Sequence, residues 1–205
     1  MTATRILGAL LVAVAPIAAA ERSVEIAPTV GYRNGATLDA SSAGTGGAEA
    51  GASWSWGLSF GWWVRPDGWL EVIFDRQTLD FEPDAGSAAR PFDIDVDYLQ
   101  FGGGYEPPRA GLRPYVTAAF GLSRYGADPG SVSDATGLSA SIGGGFKVPL
   151  SSKALLRLEA RGFAVITSSS TEVVCGPGCS FSFSGSGFWQ VGLRAAVAFR
   201  PGGAR

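Results

Sequence analysis

From Ser53 to Arg65 the even positions Trp54, Trp56, Leu58, Phe60, Trp62 and Val64 are large and apolar, while Ser53, Ser55, Gly57, Ser59 and Gly61 are small. Successive side chains of a strand point to opposite faces, so this period of two predicts a strand with two unlike faces. The pattern recurs with Val116, Ala118, Phe120 and Leu122 against Thr117, Ala119, Gly121 and Ser123, and with Leu138, Ala140, Ile142 and Phe146 against Ser139, Ser141, Gly143, Gly145 and Lys147. Leu156, Leu158 and Ala160 oppose Arg157, Glu159 and Arg161, and Trp189, Val191, Leu193, Ala195, Val197 and Phe199 oppose Gln190, Gly192, Arg194, Ala196 and Ala198. Val24, Ile26, Val30 and Tyr32 against Glu25, Thr29 and Arg33 make another such segment, and Leu70, Val72 and Phe74 against Glu71 and Asp75 a further one. A less regular segment sets Phe92, Ile94 and Val96 against Asp93, Asp95 and Asp97, then changes parity to Leu99 and Phe101, which predicts a bulge near Tyr98.

Eight segments result, beginning near residues 23, 51, 69, 92, 113, 136, 154 and 181. Every second one ends in an aromatic residue followed by a charge and a proline, with Pro66, Pro107, Pro149 and Pro201 spaced 41, 42 and 52 residues apart. That is the span of one hairpin with a long tip, repeated. Arg65-Pro66-Asp67-Gly68 predicts a tight turn, whereas the connections around 34–50, 77–91, 126–135 and 167–180 are long and polar. The mature chain has no apolar run of the roughly 20 residues a membrane helix needs, while strands of about 9–11 residues suffice for a tilted transmembrane strand. The fold predicted is all-β: a closed antiparallel transmembrane β-barrel of about eight strands, with short periplasmic turns and long extracellular loops.

The two faces decide which side is inside. An eight-stranded interior is barely wide enough for side chains to fill, so it cannot take Trp54, Trp56, Phe60, Trp62 and their counterparts. The small and charged face therefore lines the lumen and the apolar face meets lipid. Trp62, Trp63, Trp69, Tyr105, Tyr115, Phe146 and Phe199 fall at the periplasmic ends, and Tyr32, Trp54, Phe74, Phe92, Tyr125 and Phe183 at the outer ends, as two interfacial girdles would. Composition agrees, because charged residues are only 17% of the chain, against about 25% in soluble domains. Ahead of the strands, Arg5, the apolar run Ile6–Ala15, Pro16 and Ala18-Ala19-Ala20 read as a secretory signal peptide over residues 1–20, leaving a barrel domain over 21–205.

This pattern resembles the small bacterial outer-membrane barrels of the OmpA, OmpX and OmpW type, across the whole mature chain. In the last strand Gly192, Leu193, Ala195, Val197 and Phe199 look like that family's assembly signal, with six residues following, Arg200 to Arg205. The resemblance implies a Gram-negative outer-membrane location, lipid as surroundings, periplasmic chaperones and the barrel-assembly machinery as partners in biogenesis, and a monomer.

Candidate chemistry is sparse. With no His in the chain, the usual general base of catalytic triads and of enzymatic barrels is missing, and no enzymatic activity, cofactor or metal is expected. Gly102-Gly103-Gly104 and Gly143-Gly144-Gly145 lie within strands and precede no helix, so they suit close packing in a barrel wall rather than phosphate binding. Cys175-Gly176-Pro177-Gly178-Cys179 suits a disulfide at a loop tip in an oxidising compartment. A net charge of -2 without a basic patch argues against nucleic acid. Asp39, Glu49, Asp80, Glu82, Asp84, Asp128, Asp134 and Glu172 make the long loops acidic, with Arg90 the clear base among them, which ordinary loop solvation accounts for.

The lumen face supplies Glu25, Glu71, Asp75, Asp93, Asp95, Asp97 and Glu159 against Lys147, Arg157, Arg161 and Arg194. Opposite charges confined there must pair, with Arg194 placed to approach Glu25 across the closure of first and last strands. The function expected is a structural or surface-interaction barrel plugged by paired charges; the alternative is a narrow conduit for ions or small apolar solutes.

Overall fold

The computed structural model describes residues 23–35, 37–40, 48–83, 92–127, 135–166, 171–176, 179–183 and 188–201. Its strands are β1 (Val24–Arg33), β2 (Thr37–Ala40), β3 (Ala48–Ala50), β4 (Ser53–Arg65), β5 (Gly68–Pro83), β6 (Phe92–Tyr105), β7 (Arg113–Ala127), β8 (Ala135–Pro149), β9 (Ala154–Ile166), β10 (Thr171–Gly176), β11 (Cys179–Phe183) and β12 (Phe188–Phe199). Eight of them, β1, β4, β5, β6, β7, β8, β9 and β12, pair antiparallel in chain order, and β12 pairs with β1 to close the ring. The short strands β2, β3, β10 and β11 continue the sheet outward from β5 at the loop end. Residues 1–22, where the signal peptide is expected, lie outside the described residues.

Closure leaves the eight barrel strands without a free edge, so their backbone groups are satisfied within the sheet. At the opposite, turn end, β4 and β5 meet at Pro66-Asp67, where Arg65 bonds the Asp67 carboxylate at 3.2 Å. Gly111 takes a φ of 75° in the connection to β7, a conformation only glycine adopts freely.

Register makes the exterior a set of apolar rings. Leu58 faces Phe74, Phe74 faces Leu99, Leu99 faces Leu122 and Leu122 faces Leu138, one continuous outward row over five strands. Trp54, Trp189, Leu193, Phe120 and Ile142 stand outward and are 72%, 70%, 69%, 68% and 66% exposed. Ser55, Gly57, Ser59 and Gly61 of β4 and the matching positions around the ring are buried instead, many of them Ser, Gly or Thr. Small side chains there make room for long charged ones. Inward Gly121 and Gly145 show how tightly the wall is built, since a Cβ at either would stand 2.1 and 1.9 Å from a carbonyl oxygen of the adjacent strand.

The expected bulge near Tyr98 is corrected: β6 pairs with β5 and with β7 in unbroken register past that residue. Ile94, Val96, Tyr98 and Gln100 all point inward and are buried, and Asp93, Asp95 and Asp97 point outward with Leu99 and Phe101. The strand keeps its parity while its surroundings change. Just beyond the Leu99 row, Arg76, Asp97 and Arg124 are outward neighbours across three strands, marking where the apolar band ends. Past it the outward face turns polar and the lumen face apolar, so the sequence pattern inverts without any change of register.

Candidate functional site: a charge-filled lumen

At the turn end, Lys147 on β8 is fully buried, with its ammonium 3.3 Å from both oxygens of Glu25 on β1 and 3.1 Å from Glu106. Arg200 donates to Glu25 at 2.7 Å and lies 3.6 Å from Glu106, and Arg113 reaches the other Glu106 oxygen at 3.6 Å. Trp63, Trp69 and Tyr115 wall this cluster: the Lys147 nitrogen is 5.2, 4.2 and 5.3 Å from their ring centres. A cation over an aromatic face is attracted by the ring quadrupole, more so when desolvated.

Mid-lumen, β9 presents Arg157, Glu159 and Arg161 on one face because they are two residues apart on a strand. Arg157 donates to Glu159 at 2.6 Å and to Glu71 at 3.2 Å, and Arg161 donates to Glu159 at 2.5 Å and to the Ser141 hydroxyl at 2.9 Å. The Tyr115 hydroxyl donates to Glu159 at 2.7 Å, and the Thr117 hydroxyl donates to Glu71. Arg194 on β12 reaches Glu159 at 3.4 Å and Asp75 at 3.6 Å.

Toward the loops Arg33 bonds Asp75 at 2.5 Å, its guanidinium 4.4 Å from the Phe163 ring centre and 5.1 Å from that of Tyr98. The Tyr98 hydroxyl donates to Gln190, which donates to Gln77. Above this layer the lumen side is apolar: Leu79, Phe81, Ile94, Val96 and Val165 are all buried.

The structure thus brings together Glu25, Glu71, Asp75, Lys147, Arg157, Glu159, Arg161 and Arg194 inside the barrel. It removes Asp93, Asp95 and Asp97 from that set: they face outward, Arg76 chelating Asp97 at 2.5 and 2.7 Å and lying 3.8 Å from Asp95. Glu25 pairs with Lys147 and Arg200 rather than with Arg194, because closure sets Arg194 opposite Gly31. Trp69, Tyr115 and Tyr125, expected in the girdles, are buried inside, and Trp63 packs at 5.1 Å against Trp69. Phe92 and Phe183 have side chains outside the described residues, as do Cys175 and Cys179. Their backbones lie on the paired strands β10 and β11, but the expected disulfide falls outside what is described.

Four network members were missing from the sequence reading: Arg33, Glu106, Arg113 and Arg200. Parity gives three of them, since Arg33 follows Glu25 and Thr29, Arg113 precedes Thr117, and Arg200 continues Arg194. Glu106 lies in phase with inward Gly102 and Gly104, one residue past the end of β6.

No family model matches the chain, and no curated protein matches it. Among solved structures it is similar to Neisserial surface protein A, at 15% identity and a TM-score of 0.60 over 86% of this chain and 96% of that one. It is also similar to the outer membrane protein OprG of Pseudomonas aeruginosa, at 13% identity and a TM-score of 0.58 over 87% and 95% of the two chains. With its apolar exterior, its filled interior and its unbroken ring of antiparallel strands, the chain has the eight-stranded fold of small bacterial outer-membrane β-barrels.

Proposed function

We propose that the protein is an integral outer-membrane barrel with a structural or surface-interaction role, its lumen plugged by paired charges and its loops the part that meets the outside. The observation that carries the reading is the position of Arg157: among the described residues it is buried at mid-lumen and bonded at once to Glu159 and Glu71, so one side chain ties β9 to β5 across the interior. The apolar layer above is packed equally closely, with Leu79, Phe81 and Ile94 each 1% exposed. Paired charges beneath a buried apolar layer support a closed lumen, and without His the chain lacks the customary base for barrel enzymes.

In this reading residues 1–20 direct export, β12 with Gly192, Leu193, Ala195, Val197 and Phe199 presents the assembly signal to periplasmic chaperones and the barrel-assembly machinery, and the protein works as a monomer in lipid. Planar-bilayer recording tests the plug. The purified protein is expected to insert without steady conductance; large, long-lived open channels in the wild type would establish the narrow conduit in its place.

The same reading includes a Cys175–Cys179 disulfide at a loop tip. Enclosing three residues, Gly176, Pro177 and Gly178, it constrains little chain, so its removal should affect the loop more than global stability. Folded protein is expected to resist thiol labelling until reduced; immediate labelling of both thiols without reductant overturns the assignment.

A further inference from the structure

The lipid-facing wall is not evenly clothed. On β6 and β7 the register sets the outward pairs Phe101–Phe120 and Tyr105–Val116 on either side of Gly103–Ala118. The four flanking side chains are large and exposed, so two ridges enclose a trough. Its floor is as deep as the backbone, because a Cβ on Gly103 would stand 2.6 Å from the Trp69 carbonyl oxygen. Gly68, the partner of Tyr105 on β5, continues the floor toward the turn, and Ile142, the partner of Ala118 on β8, closes the far end. The result is a groove of about 510 Å³ running from Val64 and Arg65 on β4 to Ile142 on β8, within the size range of small-molecule sites. Adjacent strands about 4.8 Å apart make that course roughly 19 Å long.

Small residues alone would make only a thin place in the wall, but the turn end of the groove adds a charged pair. Arg65 and Asp67 both line it, 3.2 Å from each other. Their side chains are 72% and 23% exposed, so their mutual attraction is weak, about 0–1 kcal/mol, and each can take a second partner. They stand at the aromatic girdle marked by Trp62 and Tyr105, the level at which headgroups meet acyl chains. A guanidinium donates charge-assisted hydrogen bonds to phosphate, and a carboxylate accepts them from a primary ammonium. An apolar trough ending in one group of each sign is complementary to an apolar chain whose headgroup carries both a phosphate and an amine.

We propose that this groove holds one aminophospholipid, with an acyl chain over Gly103 and Ala118, the phosphate on Arg65 and the primary ammonium on Asp67. A headgroup with phosphate and no amine leaves the Asp67 carboxylate facing a second negative charge. A choline headgroup has no N–H to donate to it. The site rests on the lipid-facing exterior and not on a filled lumen, so a conducting wild type would end the plug and leave the groove standing.

The probe is phosphatidylethanolamine with a diazirine in its acyl chain, at trace level in phosphatidylcholine vesicles holding the full barrel. Irradiation should attach it chiefly to the segments around Tyr105, Val116 and Ile142, and unlabelled phosphatidylethanolamine should displace it where phosphatidylglycerol does not. Ala118→Leu fills the trough from the outward face and should abolish that labelling in a protein that still migrates differently before and after boiling. Asp67→Asn removes the partner of the ammonium and should weaken displacement by phosphatidylethanolamine about three- to fivefold, the effect of losing an exposed charged contact. Labelling spread evenly around the ring, labelling that Ala118→Leu leaves in place, equal displacement by the two lipids, or a cross-link between two copies at the groove overturns the proposal. A mobility unchanged by boiling in the wild type overturns it together with the membrane barrel on which it rests.

Discussion

Replacing both Arg157 and Arg161 with Ser is expected to cost the barrel at least about 3 kcal/mol of stability, the low end for breaking a buried ion pair by removing one partner. The two arginines are the close partners of Glu159 at 2.6 and 2.5 Å, and Arg157 is the close partner of Glu71 at 3.2 Å. Without them Glu159 keeps Arg194 at 3.4 Å and the Tyr115 hydroxyl, and Glu71 keeps Thr117. Water must then enter to solvate the stranded carboxylates, and water carries ions. The double variant should therefore unfold in milder denaturant than the wild type and show higher bilayer conductance than the wild type. Unchanged conductance together with unchanged stability would mean that these pairs neither hold nor close the lumen.

Lys147→Met is expected to be nearly as damaging, by about 3–5 kcal/mol, although the new side chain is apolar and of similar length. It leaves Glu25 with Arg200 and Glu106 with partners no nearer than 3.6 Å, and it empties the cation's place among Trp63, Trp69 and Tyr115. Arg76→Met is the outward comparison. The Arg76–Asp97 pair is shorter than either Lys147 pair, at 2.5 Å, yet the Arg76 side chain is 36% exposed, and exposed pairs contribute only about 0–1 kcal/mol. Equilibrium unfolding in detergent should separate the two variants by several-fold in lost free energy. Equal losses would remove burial as the reason the interior pairs matter.

The wall of this barrel could be read from the chain because alternation in β4, β7, β8, β9 and β12 sets large apolar residues against small or charged ones, and only one facing fits an eight-stranded interior. The interior was legible where charges alternate with outward apolar residues, as Arg157, Glu159 and Arg161 alternate with Leu156, Leu158 and Ala160, and Arg194 lies between Leu193 and Ala195. It failed where a strand outran the apolar band. Asp93, Asp95 and Asp97 alternate with Ile94 and Val96 as cleanly as any lumen charge alternates with a lipid-facing residue, but at the loop end water lies outside and the packed layer inside. Parity tells which residues share a face; it does not tell which solvent that face meets. Partners within the lumen were not legible either, because whether Glu25 meets Arg194 or Arg200 depends on the stagger between β1 and β12, which no single strand encodes.

Everything above depends on a barrel whose apolar face meets lipid, and fractionation combined with gel mobility before and after boiling tests that most directly. A closed barrel with its backbone groups bonded around the ring resists detergent until heated. The protein should partition with outer membranes, and its unboiled and boiled forms should migrate to different positions. Recovery as a soluble monomer without detergent, with the same mobility before and after boiling, would contradict the account.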